Sequence, residues 1–139
     1  MIDLDEPLYP DPAFPIEPKD SFPASELARV KTFRGAMRVH APLCRVVAIP
    51  NAAARGQKAL NQARAEGAAW GFPDLMVLHA GRIAFLEFKA GKTDPKTHQV
   101  DWMNWLIAAN FPCGVFRTAD AALCWLESLG FPVETRHAA

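Results

Sequence analysis

Two acidic residues and a lysine stand at positions that packing alone does not explain. Asp74 begins an apolar stretch that runs to residue 79, and Glu87 and Lys89 end a second one that starts at residue 83. The Ala80-Gly81 pair between the stretches predicts a two-residue hairpin turn. In that register Asp74 lies directly opposite Glu87, with Cβ atoms ~5 Å apart, where like charges repel each other. A divalent cation between the carboxylates would remove this repulsion, and Lys89 would add a third polar group at the same end.

Alternation along the two strands predicts two faces, both of them apolar and therefore both covered. One face carries both acids and the lysine, with Asp74, Met76, Leu78, Ile83, Phe85, Glu87 and Lys89. The other face carries Leu75, Val77, Ala84, Leu86 and Phe88. For an arbitrary hairpin an inert interpretation is favoured, in which the acids are solvated and Lys89 forms a surface ion pair of little energetic value.

The residues that flank Asp74, Glu87 and Lys89 extend the pattern beyond this triplet. The chain carries, in order, Ile49-Pro50-Asn51 with Arg55, then Trp70-Gly71-Phe72-Pro73-Asp74, then Glu87-Phe88-Lys89, then a helix with Thr97, Gln99 and Trp102. Over about residues 25–130 this arrangement resembles the VRR-NUC branch of the PD-(D/E)XK nuclease superfamily, specifically its small stand-alone, phage-like members. The triplet alone is a weak signal, whereas its ordered combination with the flanks is more specific.

The resemblance implies an α/β fold with a restriction-endonuclease-like core. It also implies a metal site of Asp74, Glu87 and the backbone carbonyl of Phe88. Lys89 would orient a water or stabilise charge in the transition state, and Gln99 would support the lysine, the water or the metal. Family members carry a glutamate on the first helix, and Glu26 is the acid available there; its alternative role is a favourable charge in a first helical turn.

Oxygen ligands without Cys or His partners suit Mg²⁺ or Mn²⁺. The four histidines show no paired spacing for zinc. Cationic and polar residues that could contact nucleic acid are Asn51, Arg55, Lys58, Lys92, Arg34 and Arg38, although solvated charge is the alternative for each. Trp70, next to the Gly-Phe-Pro-Asp run, could stack on a base. No GxSxG, P-loop or GxGxxG pattern occurs, which leaves acyl transfer and nucleotide cofactors without support.

The 139-residue chain has a formal net charge of zero, but its charge is unevenly distributed. Residues 1–20 carry six acids and one lysine, whereas residues 21–65 carry eight Lys or Arg and one acid. The three cysteines lack CxxC spacing, so we expect buried, reduced thiols in a cytoplasmic protein. No stretch approaches the length of a membrane helix or resembles a signal peptide.

Residues 1–23 hold six prolines, which favours a disordered acidic arm. The alternative is that Leu8, Tyr9, Phe14 and Phe22 pack along the domain or on a partner chain. We assign residues 24–130 to the nuclease-like domain and residues 131–139 to a C-terminal tail.

Within this domain we expect helix, strand, short helix, hairpin, helix, strand and helix. The first helix starts near Ser25, with Leu27, Val30, Phe33 and Met37 as its core stripe and its arginines solvated. Residues 43–49 form the first strand and residues 58–66 the short helix. The third helix has Asp94 as N-cap and Pro95 at its first position, ends near Asn110, and turns Gln99 inward.

Residues 113–117 form the last strand, parallel to the Glu87 strand. Thr118 caps the final helix and Gly130 closes it. The prediction is a four-stranded mixed sheet in order 1-2-3-4 flanked by helices.

The function that follows is a structure-selective, metal-dependent DNA endonuclease, acting on four-way junctions as a homodimer or on flaps. Two alternatives remain open: an inactive nucleic-acid-binding module of the same fold, and a partner-binding domain whose acidic arm docks elsewhere. The arm could also inhibit DNA binding by covering the basic first helix.

Overall fold

A computed structural model of the protein describes residues 11–50, 57–67 and 70–134. These residues form four helices and four strands in one mixed sheet of order β1-β2-β3-β4. Strands β1, β2 and β3 are antiparallel neighbours, and β4 is parallel to β3. The predicted α/β class and strand order are confirmed. In chain order the elements are α1 (Glu26–His40), β1 (Arg45–Ala48), α2 (Gln57–Ala65), β2 (Leu75–His79), β3 (Arg82–Phe88), α3 (Thr97–Ala108), β4 (Cys113–Phe116) and α4 (Ala119–Ser128).

The β2–β3 hairpin has the predicted register, with Leu75 opposite Leu86 and His79 opposite Arg82. Its turn residues, Ala80 and Gly81, have φ values of 44° and 80°. Positive φ at both central positions is the geometry that matches the right-handed twist of a hairpin. The turn therefore fixes the pairing, and the next pair beyond Leu75 and Leu86 brings Asp74 opposite Glu87.

The two predicted faces of the hairpin are covered by different helices, as expected. Leu75, Val77, Ala84, Leu86 and Phe88 join one buried cluster with residues of α1 and α4. Phe85, with Met76 and Ile83 packed beside it, joins a second cluster with residues of α3. The sheet is thus the middle layer between α1 and α4 on one side and α3 on the other. Strand β1 is shorter than the predicted residues 43–49, and α2 begins one residue earlier than predicted.

Helix α1 starts as predicted, because the Ser25 side chain accepts a hydrogen bond from the Ala28 amide. Phe33 and Met37 are buried. The predicted stripe is wrong at its first position: Leu27 is 63% exposed, whereas Arg29 is buried at 4% exposure. Burial of this arginine is possible because its guanidinium is surrounded by acceptors, which are the Asp20 carboxylate and the carbonyls of residues 22, 24 and 117.

Helix α3 begins at Thr97, so the predicted cap by Asp94 with Pro95 at the first position is wrong. The Asp94 carboxylate is engaged by Lys19 instead, at 2.9 Å. The N-terminal amide of Lys96 is satisfied by Gln99 Oε1 at 2.8 Å. At the other end Asn110 has a φ of 67°, the left-handed conformation of a helix-terminating residue.

Strand β4 and both ends of α4 follow the prediction, whereas the prediction of a tail from residue 131 is wrong for residues 131–134, because Phe131 is buried in the cluster formed with α1 and α4 and the Glu134 amide donates to the His40 carbonyl. Strand β4 pairs parallel with β3, Thr118 accepts a hydrogen bond from the Ala121 amide, and Gly130 has a φ of 92° after α4. The expectation of three buried thiols is correct for Cys113 only, since Cys44 is half-buried and Cys124 is exposed. No helix in the described ranges has the length and apolarity needed to cross a membrane.

The disordered-tail interpretation is wrong for residues 11–23, which pack along the domain. Phe14 is buried in the α3-side cluster, and Ile16 forms a parallel bridge with Val115 of β4. Asn104 of α3 binds the backbone of residues 11 and 13. Phe22 is 67% exposed, and Leu8 and Tyr9 lie outside the described residues. This segment therefore runs along the outer edge of β4, to which one isolated bridge joins it.

Two buried arginines fasten the arm to the domain. Arg29 forms a two-pronged ion pair with Asp20, with N–O distances of 2.7 and 3.0 Å. Arg117 donates to the carbonyl of Glu17 and to those of Ala90, Gly91 and Thr93. The Glu17 carboxylate accepts hydrogen bonds from the backbone amides of Arg117 and Thr118. These two acids are held by internal partners, which leaves neither to cover the exposed cations of α1.

Candidate active site

The C-terminal end of β3 brings Asp74, Glu87 and Lys89 together. Asp74 immediately precedes β2, where its carbonyl accepts a hydrogen bond from the Ile49 amide at 2.7 Å. The backbone amide of Asp74 donates to Glu87 Oε2 at 3.0 Å. The predicted pairing of the two acids across the hairpin is therefore reinforced by a direct backbone-to-side-chain hydrogen bond.

Gln99 holds the second oxygen of Glu87. Its Nε2 donates to Glu87 Oε1 at 2.8 Å, while its own Oε1 accepts from the Lys96 amide at 2.8 Å. Because the Lys96 amide can only donate, the oxygen of the Gln99 side chain must face Lys96 and its nitrogen must face Glu87. Gln99 thus links the start of α3 to Glu87, and its predicted position beside the acids is confirmed.

Lys89 stands between two acids on different elements. Its Nζ is 3.9 Å from Glu87 Oε1 and 3.9 Å from Glu26 Oε1. The side chains of Lys89 and Glu87 are only 5% and 3% exposed, whereas that of Glu26 is 43% exposed. The Ser25 cap positions the first turn of α1 so that Glu26 reaches this end of the sheet. Glu26 and the half-buried Asp74 are the acidic members of the group that reach its surface.

The electrostatics of the acid pair are unfavourable in the protein alone. Burial, followed by the neighbouring charge of Asp74, raises the pKa of Glu87 to about 8. Burial also raises the pKa of Asp74, against the lowering effect of its interaction with Glu87. Both shifts mean that the fold stabilises a protonated carboxyl here and that a second negative charge is costly. A positive charge between the two groups would reverse this preference.

The donor set fits a hard divalent cation of the Mg²⁺ type. Two carboxylates and the Phe88 carbonyl, which lies between Glu87 and Lys89 in the chain, are oxygen donors of the kind such ions select. Within the described part of the chain no three His, Cys, Asp or Glu side chains are arranged as a metal site. Mg²⁺ is commonly held by one or two carboxylates and completes its shell with water and substrate phosphate, so two carboxylates suffice.

A close backbone contact places the loop that carries Asp74. Gly71 has a φ of 81°, and a Cβ at this position would lie 2.5 Å from the His98 carbonyl oxygen of α3. Phe72 packs edge-on against Phe85 of β3 and Trp102 of α3. The loop is therefore pressed onto α3, which also carries Gln99. Trp70, at the start of this loop, is 36% exposed.

The residues predicted to contact nucleic acid are dispersed. Lys92 is exposed in the loop that follows Lys89, and Lys58 is exposed on α2. Arg34 and Arg38 lie two to three turns beyond Glu26 on α1, beside Arg45 at the start of β1. That is the opposite end of the sheet from the acid pair. Asn51 and Arg55 lie outside the described residues.

The sequence reasoning missed Arg29 and Arg117, the two buried cations that hold the arm and the loop after Lys89. An acidic arm followed by a basic helix was a signal for the Arg29–Asp20 ion pair. Nothing local distinguishes Arg117, because its partners are backbone carbonyls of residues far away in the chain.

Comparison of the chain with models of known protein families, with curated proteins and with solved structures finds no match.

Proposed function

We propose that this chain is a metal-dependent nuclease that hydrolyses DNA phosphodiester bonds, with a restriction-endonuclease-like core of the VRR-NUC type. The observation that carries the proposal is the pairing of the buried Glu87 with the half-buried Asp74, with Lys89 Nζ 3.9 Å from Glu87. Two adjacent carboxyl groups removed from solvent weaken a fold unless something positive binds between them. Such perturbed groups are concentrated at functional sites.

The contacts of each residue support one proposed role. Asp74 and Glu87 are the proposed metal ligands, and the Asp74 amide and Gln99 hold the Glu87 carboxylate in one orientation. Lys89, held between Glu87 and Glu26, can donate a hydrogen bond to an attacking water or a phosphoryl oxygen. Glu26 can accept a proton or hold a water at the exposed side. Gln99 is a positioning residue, because it acts through Glu87.

Mg²⁺ or Mn²⁺, when bound, would polarise the phosphoryl oxygen and lower the pKa of a bound water. The protein's own contribution is to place the two carboxyl groups side by side and to hold Lys89 beside them. The raised pKa values of both acids support this assignment, since a cation and a proton would compete for the same oxygens.

The proposed substrate is branched DNA, with a four-way junction as the first candidate and a flap as the second. A homodimer would carry two such sites related by a two-fold axis, which suits the two cuts that a junction requires. Light scattering on the eluted protein tests this assembly: a dimer is expected, and a monomer at the concentration where cleavage occurs would exclude the two-site arrangement.

The test of the activity is cleavage of labelled duplex, single strand, 5′ flap, 3′ flap and four-way junction, each with Mg²⁺, Mn²⁺ or EDTA. We expect cleavage with metal and none with EDTA. Lys89→Met keeps most of the length of the side chain but lacks the ammonium group, and should reduce the rate by ~10²- to 10³-fold. Lys19→Met, an exposed lysine of the arm, is the matched control and should cleave as the wild type does.

Thermal unfolding separates loss of chemistry from loss of folding. If Lys89→Met keeps the wild-type Tm and loses cleavage, the role in chemistry stands. DNA binding without cleavage in any metal would instead identify an inactive nucleic-acid-binding module, and neither binding nor cleavage would reject the proposal.

A further inference from the structure

The end of the sheet opposite the acid pair carries a second group of charged residues, which we call the basic end. It consists of Arg34 and Arg38 of α1, Arg45 of β1 and Arg82 of β3. Two adjoining cavities of about 380 and 400 Å³ lie here and share Arg45. Among the described residues, their lining also includes His79 and the apolar Met37, Leu43 and Val46, and contains no Asp or Glu.

The positive charge of the basic end is not neutralised within the described part of the chain. No described ion pair or hydrogen bond engages the side chains of Arg34, Arg38 or Arg45, and Arg34 and Arg38 repel each other one turn apart. Arg82 donates to the Leu129 carbonyl, which is uncharged. The nearby Glu134 contacts His40 through its backbone only. The dipole of α1 favours Arg38 and His40 in its last turn, but it does not reach Arg45 or Arg82.

The separation of the basic end from the acid pair is set by two independent elements. Arg82 and Glu87 lie five residues apart on β3, which is ~17 Å along a strand. Glu26 and Arg38 lie twelve residues apart on α1, which is ~18 Å along a helix. A rise of ~3.4 Å per base pair makes this distance about five base pairs of duplex DNA.

We propose that the basic end binds the phosphate backbone of a duplex arm about five base pairs away from the phosphate held at the acid pair. The placement relative to the cut rests on the proposed nuclease function, whereas the binding of duplex DNA does not. Unpaired arginines at the edge of shallow cavities fit a line of phosphates, because guanidinium groups bind phosphate oxygens in a two-pronged manner. The site contributes affinity and orientation and no sequence preference.

The test measures binding by fluorescence anisotropy in EDTA, so that cleavage plays no part. The DNA probes are hairpins with duplex arms of about three and about twelve base pairs, and salt is varied. We expect the longer arm to bind at least ~10-fold more tightly. In Arg38→Gln/Arg45→Gln this advantage should disappear, and the slope of log affinity against log salt should fall by ~2, since each phosphate contact contributes ~0.9.

Lys19→Gln/Lys96→Gln removes the same net charge elsewhere and is the control variant. It should preserve the difference between long and short arms. An unchanged arm-length dependence in Arg38→Gln/Arg45→Gln would overturn the proposal. So would complete displacement of the long arm by inorganic phosphate at matched ionic strength, because that result identifies a pocket for a single phosphate.

The two proposals fail separately. Metal-dependent cleavage by the wild type with no effect of the basic-end variant on binding would leave the nuclease function and reject the basic end. Binding that depends on the basic end, with no cleavage in any metal, would reject the nuclease function and keep the duplex-binding site.

Discussion

At the scale of single residues, the pairing of the buried Glu87 with the half-buried Asp74 makes the stability of the fold depend on pH. Glu87 has both oxygens occupied by fixed donors and a pKa near 8, compared with its ordinary 4.5. Between these values the folded protein binds a proton that the unfolded chain has already released. The contribution of Glu87 to the free energy of unfolding in the absence of metal is therefore fully present below about pH 4.5 and is lost as the pH rises through 8.

This pH dependence predicts the behaviour of Asp74→Asn. Removal of the neighbouring charge lowers the pKa of Glu87, so the variant in EDTA should be more stable than the wild type at pH 8 by a few degrees in Tm and little changed near pH 5. Cleavage should be lost. Thermal unfolding from about pH 5 to pH 9 measures the effect, with Asp101→Asn on the exposed side of α3 as control. A parallel decrease in stability in both variants at every pH would contradict the pair interaction.

The increase in Tm caused by added metal should depend on pH in the opposite direction to the stability of the metal-free protein. Mn²⁺ should raise the Tm of the wild type more at pH 8 than near pH 5, because protons compete with the metal for the carboxylates. Asp74→Asn should show little increase at either pH.

A second residue-scale prediction concerns Gln99, whose amide satisfies Glu87 and the N-terminus of α3 together. Gln99→Met keeps the length of the side chain and removes both hydrogen bonds. We expect ~1 kcal/mol of lost stability and a 10- to 100-fold lower cleavage rate, the range typical for residues that orient metal ligands. Asn104→Ala, also on α3, removes hydrogen bonds to the arm and is the comparison. It should lower stability by a similar amount and leave the pH dependence of the cleavage rate unchanged. This result would show that the rate loss in Gln99→Met comes from the position of Glu87 and not from weaker packing of α3.

At the scale of elements, the site depends on how closely the 70–74 loop approaches α3. Gly71 and Gly81 have nearly the same positive φ, 81° and 80°, but a Cβ would meet the His98 carbonyl at Gly71 and nothing within 4 Å at Gly81. Gly81→Ala should therefore cost ~1 kcal/mol for its backbone conformation alone. Gly71→Ala adds a steric clash and should cost at least twice as much.

The same pair of variants reports on the function of the loop. Because Gly71→Ala moves Asp74 relative to Gln99, it should lower metal affinity as well as stability, whereas Gly81→Ala should lower stability only. Chemical denaturation and Mn²⁺ titration measure the two quantities. Equal costs for both substitutions would show that the loop shifts freely and does not position Asp74.

At the scale of the whole molecule, residues 11–23 belong to the folded unit. They supply Phe14 to the core and acceptors to the buried Arg29 and Arg117, and Arg117 in turn binds the carbonyls of the loop that follows Lys89. Through Arg117, the arm thus stabilises the loop that follows Lys89 of the candidate site. Asp20 and Glu17 are engaged by internal partners, so neither of these two acids is available to cover the exposed cations of α1.

Deletion of residues 1–23 should therefore lower the Tm by more than ~10 °C, because two buried guanidinium groups lose partners and β4 loses its bridge. Deletion of residues 1–10 is the comparison, since it leaves every contact described above in place. Thermal unfolding of the two deletions distinguishes an integral segment from a dispensable tail. Equal Tm values for both proteins would contradict the packing of residues 11–23.

Much of the fold could be derived from sequence, because its determinants are local. Alternating apolar residues and the Ala80-Gly81 turn define the hairpin register and both of its faces, and Ser25 and Thr118 mark the starts of two helices. The start of α3 could not be derived in this way. Asp94 and Pro95 form a good local cap, but Lys19 from the arm takes the Asp94 side chain, and Gln99 satisfies the helix amide instead.

The sequence by itself determined the candidate acid pair, since strand alternation and a two-residue turn leave only one cross-strand partner for Asp74. Only the tertiary structure decided which cations belong to which site. Arg29 is buried by acceptors from the arm, and Arg34 and Arg38 lie with Arg45 and Arg82 at the far end of the sheet. Charge placement depends on contacts between distant segments, whereas strand pairing across a tight turn depends on neighbours in the chain.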